Sequence, residues 1–405
     1  MKALGPIPPG FEADGDGRLT IGGWDAEMLV NKSGGTPLFI YDSRRVADQV
    51  SRFRAAVPGV ALHYAVKANP YAPLLEAMAD MVDGFDTASA GELGKVAHLG
   101  LPISFAGPGK RDQELETAIR AGVTINLESE GEAGRALAIC EREGLTPRLA
   151  VRVNPPFGLK GSGQKMGGLP SQFGVDHDRA PALIRRLVEA GADWRGLHIF
   201  AGSQALNADA LIELQRDTIA LAASIAEEAG HAPPEVNLGG GFGIPYFNKD
   251  QPLDVEAVGE ALAKVLAERS KILEDTRFAI ELGRWLVGEA GVYLTRIVDR
   301  KESRGRTFLV TDGGLQHQLA ASGNFGQLLR RNYPVAIANR FSAPAEEEVT
   351  ITGCLCTPLD LLADEVMLPR ADVGDLVAIF CAGAYGLSAS PTAFLSQPMA
   401  REMIV

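Results

Sequence analysis

Short runs rich in β-branched and aromatic residues recur at 62–66, 83–86, 103–106, 123–126, 148–153, 195–200, 235–238 and 277–281. Helical patterns fill the intervals, at 71–81, 112–121, 128–143, 180–190 and 207–229. Strands that alternate with helices pair in parallel, because each crossover helix returns the chain to the same end of the sheet. Eight such units in about 250 residues predict an α/β fold, a (β/α)8 TIM-like barrel, over an open sheet. Reactive groups in such a barrel gather where the strands end.

The grammar differs on either side. A short strand is expected at 18–22, a helix at 24–32, an apolar strand at 38–41 and a charged helix at 43–56. After about 287, strand-like runs at 291–299, 307–311, 348–353 and 376–381 follow one another without crossover helices. They predict a second, mainly antiparallel β domain, which the strand near Leu19 is expected to join. The expected division is a barrel over 35–286 and a β domain from 1–34 and 287–405. The stretch 155–174, with Pro155, Pro156, several glycines, Lys160, Lys165 and Met166, interrupts the rhythm. It reads either as a substrate loop or lid, or as a disordered insertion.

Composition excludes some function classes. A formal net charge of −12 and the lack of any Lys/Arg run argue against nucleic acid as a partner. No apolar run is long enough for a bilayer, and residues 1–10 carry no apolar signal core, so no membrane partner is expected. Four cysteines, at 140, 354, 356 and 381, are too few for a disulfide framework in this length and suit a reducing cytoplasm. The six histidines show no ligand spacing, so no metal is expected.

Leu62-His63-Tyr64-Ala65-Val66-Lys67-Ala68-Asn69-Pro70 is an apolar strand that stops at a lysine, since Pro70 cannot continue it. A lysine there is either solvated or a Schiff-base nucleophile, and other strand ends favour the second. They carry Asp86, Glu128, Arg152, Gly202-Ser203, Gly239-Gly240-Gly241, and Glu281 with Arg284. A glycine run can mark only a tight turn, but successive N–H groups also close around a phosphate. Glu281 and Arg284 are either a structural pair or a partner for a protonated ring nitrogen beside an anion-binding cation. A lysine for a Schiff base, a phosphate cradle and a carboxylate for a pyridinium are together what pyridoxal 5'-phosphate requires.

On these residues the chain resembles the alanine-racemase-fold pyridoxal-phosphate enzymes, in their diaminopimelate/ornithine/arginine decarboxylase branch. The matching stretches span nearly the whole length: Gly35 to Asp42, Tyr64 to Asn69, Gly91 to Leu93, Asn126 to Glu130, Arg152 to Pro155, Gly202 to Gln204, Gly239 to Tyr246, Glu281 to Arg284, Cys354 to Cys356 and Gly383 to Gly386. The resemblance implies Lys67 as the Schiff-base lysine and Glu281 as the ring-nitrogen partner. It implies Ser203, Gly240, Gly241, Arg284 and Tyr385 as the phosphate and substrate shell, with Asp86 and Arg152 under the ring. It implies Cys356 as the proton donor to Cα, reaching in from a second subunit of a homodimer with shared sites.

Departures from the pattern bear on the substrate. Phe200 stands where the family stacks a histidine on the ring, and phenyl can stack without donating a hydrogen bond. Thr357 replaces the acid that reads a distal amine, and Ala320 falls where diaminopimelate decarboxylases carry a carboxylate-binding arginine. This pattern resembles a decarboxylase-like subgroup, including exosortase-associated members, some of which act on a carrier-protein-bound aminoacyl group. The expected activity is removal of the α-carboxylate of an amino acid or aminoacyl group, with Thr357, Tyr385 and Arg284 at the substrate. Diaminopimelate decarboxylation and racemisation are the alternatives, and Glu281 argues against the second because it sustains a strong electron sink.

Overall fold

The computed structural model describes residues 2–405 apart from 162, 163, 166, 326 and 328, and only the backbone at 164 and 165. Met166 and the Lys165 side chain of the 155–174 loop therefore lie outside the described residues. The chain divides into two compact units: 50–243 with 252–283, and 1–49 with 244–251 and 284–405.

The first unit is the expected barrel. Its strands are β1 (Ala61–Ala65), β2 (Gly84–Thr87), β3 (Ile103–Phe105), β4 (Thr124–Leu127), β5 (Arg148–Asn154), β6 (Asp193–Ile199), β7 (Glu235–Asn237) and β8 (Arg277–Leu282). Each pairs in parallel with its neighbours in sequence, and β8 closes on β1 through Ala279–Leu282 against Ala61–Tyr64. The helices start where capping chemistry allows. Ser89, Ser129, Asn207 and Asp254 each accept a hydrogen bond from the backbone N–H three residues on. The helix expected from 128 thus begins at Glu130, behind its Ser129 cap. Helix Ala208–Ala229 buries Leu211, Leu214, Gln215, Thr218, Ile219 and Ala222, an i, i+3, i+4 stripe.

The second unit holds an eight-stranded, mainly antiparallel sheet. The long strand Gly291–Ser303 pairs antiparallel with Arg306–Thr311, Leu376–Ile379 and Leu38–Tyr41. Two of its pairings are parallel, Arg306–Thr311 with Glu347–Thr352, and Arg401–Ile404 with Leu38–Tyr41. The strand near Leu19 does not join this sheet. Leu19–Ile21 pairs with Glu12–Ala13 and Trp24–Asp25 in a separate three-stranded sheet. What the apolar pattern registered is burial: Leu19 and Ile21 pack in one core with Leu38, Ile40, Val292 and Leu294. The helix expected at 24–32 starts at Ala26, because the Asp25 side chain caps it through Met28 N–H.

Candidate active site

Alternation along the barrel strands puts Arg148, Ala150 and Arg152 on one face of β5, and Arg277, Ala279 and Glu281 on one face of β8. Beyond β1 the chain enters a single 3-10 turn, Val66–Ala68, that carries Lys67. Lys67 Nζ lies 3.5 Å from Asp86 Oδ2, 3.9 Å from Glu281 Oε1 and 5.6 Å from the centre of the Phe200 ring. Both carboxylates are buried, whereas the lysine side chain is 39% exposed and so open to a ligand.

The two carboxylates are held differently. Glu281 Oε2 accepts from Asn237 Nδ2 at 3.3 Å and bonds His198 Nε2 at 3.0 Å. Burial opposes its charge, but the His198 imidazole and the Lys67 ammonium outweigh that and hold Glu281 far below the usual carboxylate range. A bond between imidazole and an ionised carboxylate requires the proton on Nε2. Asp86 accepts one bond from Ser104 Oγ at 2.7 Å. Burial and then the Glu281 charge push its carboxyl above the usual value, against the pull of Lys67.

Arg152 is fixed from behind. Its Nη1 donates to Glu128 Oε1 at 2.8 Å, and Glu128 also accepts from Gly107 N–H at 2.7 Å and Gly174 N–H at 2.8 Å. Burial would raise the Glu128 carboxyl, yet Arg152 and Lys110 bring it below the usual value.

Gly239–Gly241 follows β7. A Cβ at Gly240 would stand 1.9 Å from Glu281 O, and one at Gly241 would stand 2.5 Å from Gly202 O, so no side chain fits. Gly241 also takes a φ of 86°, in the left-handed region. The close approach brings Gly202-Ser203 beside the glycine turn. Among the described residues the N–H groups of Gly240 and Gly241 have no hydrogen-bond partner, as an anion cradle requires.

In the second unit Arg284 and Tyr385 pack together, with the guanidinium 4.6 Å from the ring centre. Arg284 Nη1 donates to Tyr246 Oη at 2.8 Å, and burial pushes that phenol up to about 12. Tyr385 itself takes a φ of 53°. Cys356 and Thr357 lie on a different loop of this unit, with Cys356 exposed. Buried Asp360 anchors that loop, accepting from Leu355 N–H at 2.8 Å and Leu315 N–H at 2.7 Å. Ala320 is buried in the turn Leu319–Ser322.

The family pattern described as "pyridoxal-dependent decarboxylase, pyridoxal binding domain" matches residues 43–288. The chain belongs to the pyridoxal-dependent decarboxylases. It is 36% identical over 379 residues to the L-glutamyl-[BtrI acyl-carrier protein] decarboxylase of Niallia circulans, covering 91% of this chain and 88% of the relative. It is 31% identical over 412 residues to the diaminopimelate decarboxylase of Methanothermobacter thermautotrophicus, covering 98% and 92%. The crystal structure of diaminopimelate decarboxylase from M. jannaschii with L-lysine superposes with a TM-score of 0.87 at 26% identity, over 98% of this chain and 92% of that one.

The activity is therefore that of a carboxy-lyase using pyridoxal phosphate. The barrel residues of this decarboxylase fit that group. A semi-exposed amine, a glycine turn with unpartnered N–H groups and a buried ionised carboxylate meet at one end of the barrel. Of the residues singled out from the sequence, Lys67, Asp86, Arg152, Phe200, Ser203, Gly240, Gly241 and Glu281 lie in this unit and Tyr385, Cys356 and Thr357 in the other, as does Arg284, which the expected 35–286 barrel had included. Sequence reasoning missed His198 and Asn237 beneath Glu281, the Glu128 anchor of Arg152 and the Tyr246 partner of Arg284. In 198–203 the sequence marks Phe200 as the departure from the family pattern, whereas the histidine two residues before it carries no local mark of its partner. Lys160, on the 155–174 loop, pairs with Glu213 at 2.7 and 2.8 Å on the surface.

Proposed function

We propose that this decarboxylase acts on an aminoacyl group tethered to an acyl-carrier protein. The observation that carries the reading is the pair of exchanges Thr357 and Ala320, at positions where the resembling decarboxylases hold an acid and an arginine. A pocket built for a free substrate's distal ammonium or carboxylate would leave that charge unpaired here, at substantial cost. A substrate whose distal end continues out of the pocket needs neither residue. The relative named for a carrier-bound glutamyl substrate, at 36% identity, supports the same reading.

In this proposal Lys67 would hold the cofactor through its side-chain amine until the substrate amine takes that place. Pyridoxal phosphate, when bound, takes up the electron pair left as the bond from Cα to the carboxylate breaks. Glu281 keeps a proton on the ring nitrogen. His198 and Asn237 occupy Oε2 from beneath, so that Oε1 is the oxygen presented. Ser203, Gly240 and Gly241 would bind the phosphate, and Arg284 and Tyr385 of the second unit would serve as anion and substrate contacts. Phe200 would pack against the cofactor, and Asp86 and Arg152 would contact its polar groups. Cys356 delivers the proton to Cα across the interface of a homodimer. All four cysteines are free thiols, which accords with work in a reducing cytoplasm. Among the described residues no helix is long and apolar enough to cross a membrane.

Carbon dioxide release from a panel of free amino acids and carrier-loaded aminoacyl groups tests the proposal. A missing charge-assisted contact costs about 1.5–3 kcal/mol, so kcat/KM for free meso-diaminopimelate is expected roughly tenfold to a hundredfold below that of the best carrier-bound substrate. Efficient turnover of free meso-diaminopimelate overturns it.

A further inference from the structure

The interior of a (β/α)8 barrel is ordinarily filled by layers of bulky branched side chains. This barrel departs from that rule toward the starts of its strands. A cavity there is lined by Ala61, His63, Ser104, Asn126, Ala150 and Asn237, which are small or polar, beside the branched Ile103 and Leu197. It has a volume of about 320 Å³ and lies at the end of the strands opposite Lys67. The polar groups in its wall need water or a ligand to satisfy them. His63 is only 7% exposed, and its Nδ1 has no hydrogen-bond partner among the described residues; the buried Nε of Arg148 makes no hydrogen bond and faces only Asp193 Oδ2, at 3.5 Å.

Arg148, Arg195 and Arg277 line the same cavity. Their carboxylates stand off: Asp193 is 3.5 Å from Arg148 and 3.6 Å from Arg195, and Glu235 is 3.6 Å from Arg277. Partly exposed pairs at such separations contribute little and open readily. Asp83, also in the wall, is already engaged, accepting from Arg54 Nη1 at 2.6 Å and Leu62 N–H at 2.7 Å. Among the described residues the three guanidinium groups donate one hydrogen bond in all, from Arg148 Nη1 to Gly122 O at 2.9 Å. Three forked donors facing two loosely held carboxylates match an incoming oxyanion, which guanidinium binds in bidentate fashion.

We propose that this cavity is a second binding site, for a small oxyanion of metabolite size: a carboxylate or phosphate held by Arg148, Arg195 and Arg277, with its remaining polar groups against His63 and Asn126. The volume lies at the lower end of small-molecule sites, roughly 300–1,000 Å³. Two wall residues connect it to the barrel's other end. Ser104 is hydrogen-bonded to Asp86, and Asn237 to Glu281, so the occupant lies one side chain away from both carboxylates beside Lys67. The site stands independently of the substrate proposal.

Isothermal titration of the holoenzyme with sodium phosphate and with disodium glutarate, against sodium chloride at matched ionic strength, distinguishes the two forms of oxyanion. Saturable binding of at least one is expected, with a Kd of about 1 mM or tighter. The partly exposed pair Arg195→Ala/Arg277→Ala should weaken it by about tenfold or more. Ala150→Leu fills the cavity without altering charge and should weaken it comparably. Retained cofactor absorbance shows that each variant is folded, and should Ala150→Leu not fold, the arginine variant decides. Absence of saturable binding by either anion, or binding unchanged in the folded arginine variant, overturns the proposal.

Discussion

Replacing His198 by leucine, which has similar volume, removes the support beneath Glu281 while keeping the space filled. Glu281 Oε2 then retains only Asn237 Nδ2 at 3.3 Å in place of two partners. A hydrogen bond to a buried charged group is worth about 1.5–3 kcal/mol. If that support is felt as charge moves onto the cofactor ring, kcat falls by roughly 10- to 150-fold. KM should change little, because His198 is 1% exposed and bonds Glu281 rather than facing the opening. His198→Gln restores a donor on a flexible stem and is expected to recover much of the loss. The assay is steady-state carbon dioxide release at saturating cofactor, with the cofactor dissociation constant followed by absorbance as a second readout. The decisive arm is a double-mutant cycle. In a Glu281→Gln background the His198→Leu change should cost much less, since both act through one carboxylate. Fully additive costs, or a kcat within about twofold of the parent, would refute the reasoning.

Further outcomes are expected. Borohydride reduction of the holoenzyme followed by peptide mapping should label Lys67; labelling of Lys110 or Lys160 would displace it from the proposed chemistry. Asp86, whose carboxyl burial and the Glu281 charge push upward, adds stability at low pH that is lost as pH rises through its folded-state value. Asp86→Asn should therefore raise the Tm of the cofactor-free protein at neutral pH, by an amount that shrinks on acidification; a lower Tm at neutral pH counts against this. Glu281 has the opposite sign: its contribution is present above the unfolded carboxyl value and is lost as pH falls toward its depressed one. Mixing inactive Lys67→Ala and Cys356→Ala chains should restore part of the activity if Cys356 serves a neighbouring subunit, and demonstrably mixed dimers without activity would exclude a shared site.

Features set by neighbours in the chain were legible without coordinates. The eight barrel strands fall close to where β-rich runs recur, because parallel strands buried on both faces leave a continuous apolar signature. The strand-end residues Lys67, Asp86, Arg152 and Glu281 were legible for a related reason. A polar residue closing an apolar run has to lie at a mouth of the barrel, and alternation then fixes which way it faces. Glycine at 240 and 241 was legible as a turn, although the need for it, the carbonyls of Glu281 and Gly202 in the space of a Cβ, was not.

Tertiary structure alone decided who supports whom. His198 and Glu281 are separated by 83 positions and meet because β6, β7 and β8 lie side by side in a closed barrel. Nothing within a few residues of His198 encodes that meeting. The same holds for Glu128 behind Arg152, for segment 244–251, whose Tyr246 packs with Arg284 in the second unit, and for Leu19–Ile21, whose apolar pattern specifies burial without naming a partner strand. Hydrophobic period and turn chemistry are local properties of the chain, so a sequence displays them directly. Hydrogen bonds between buried polar groups are matched across a closed surface, and only its closure determines which groups meet.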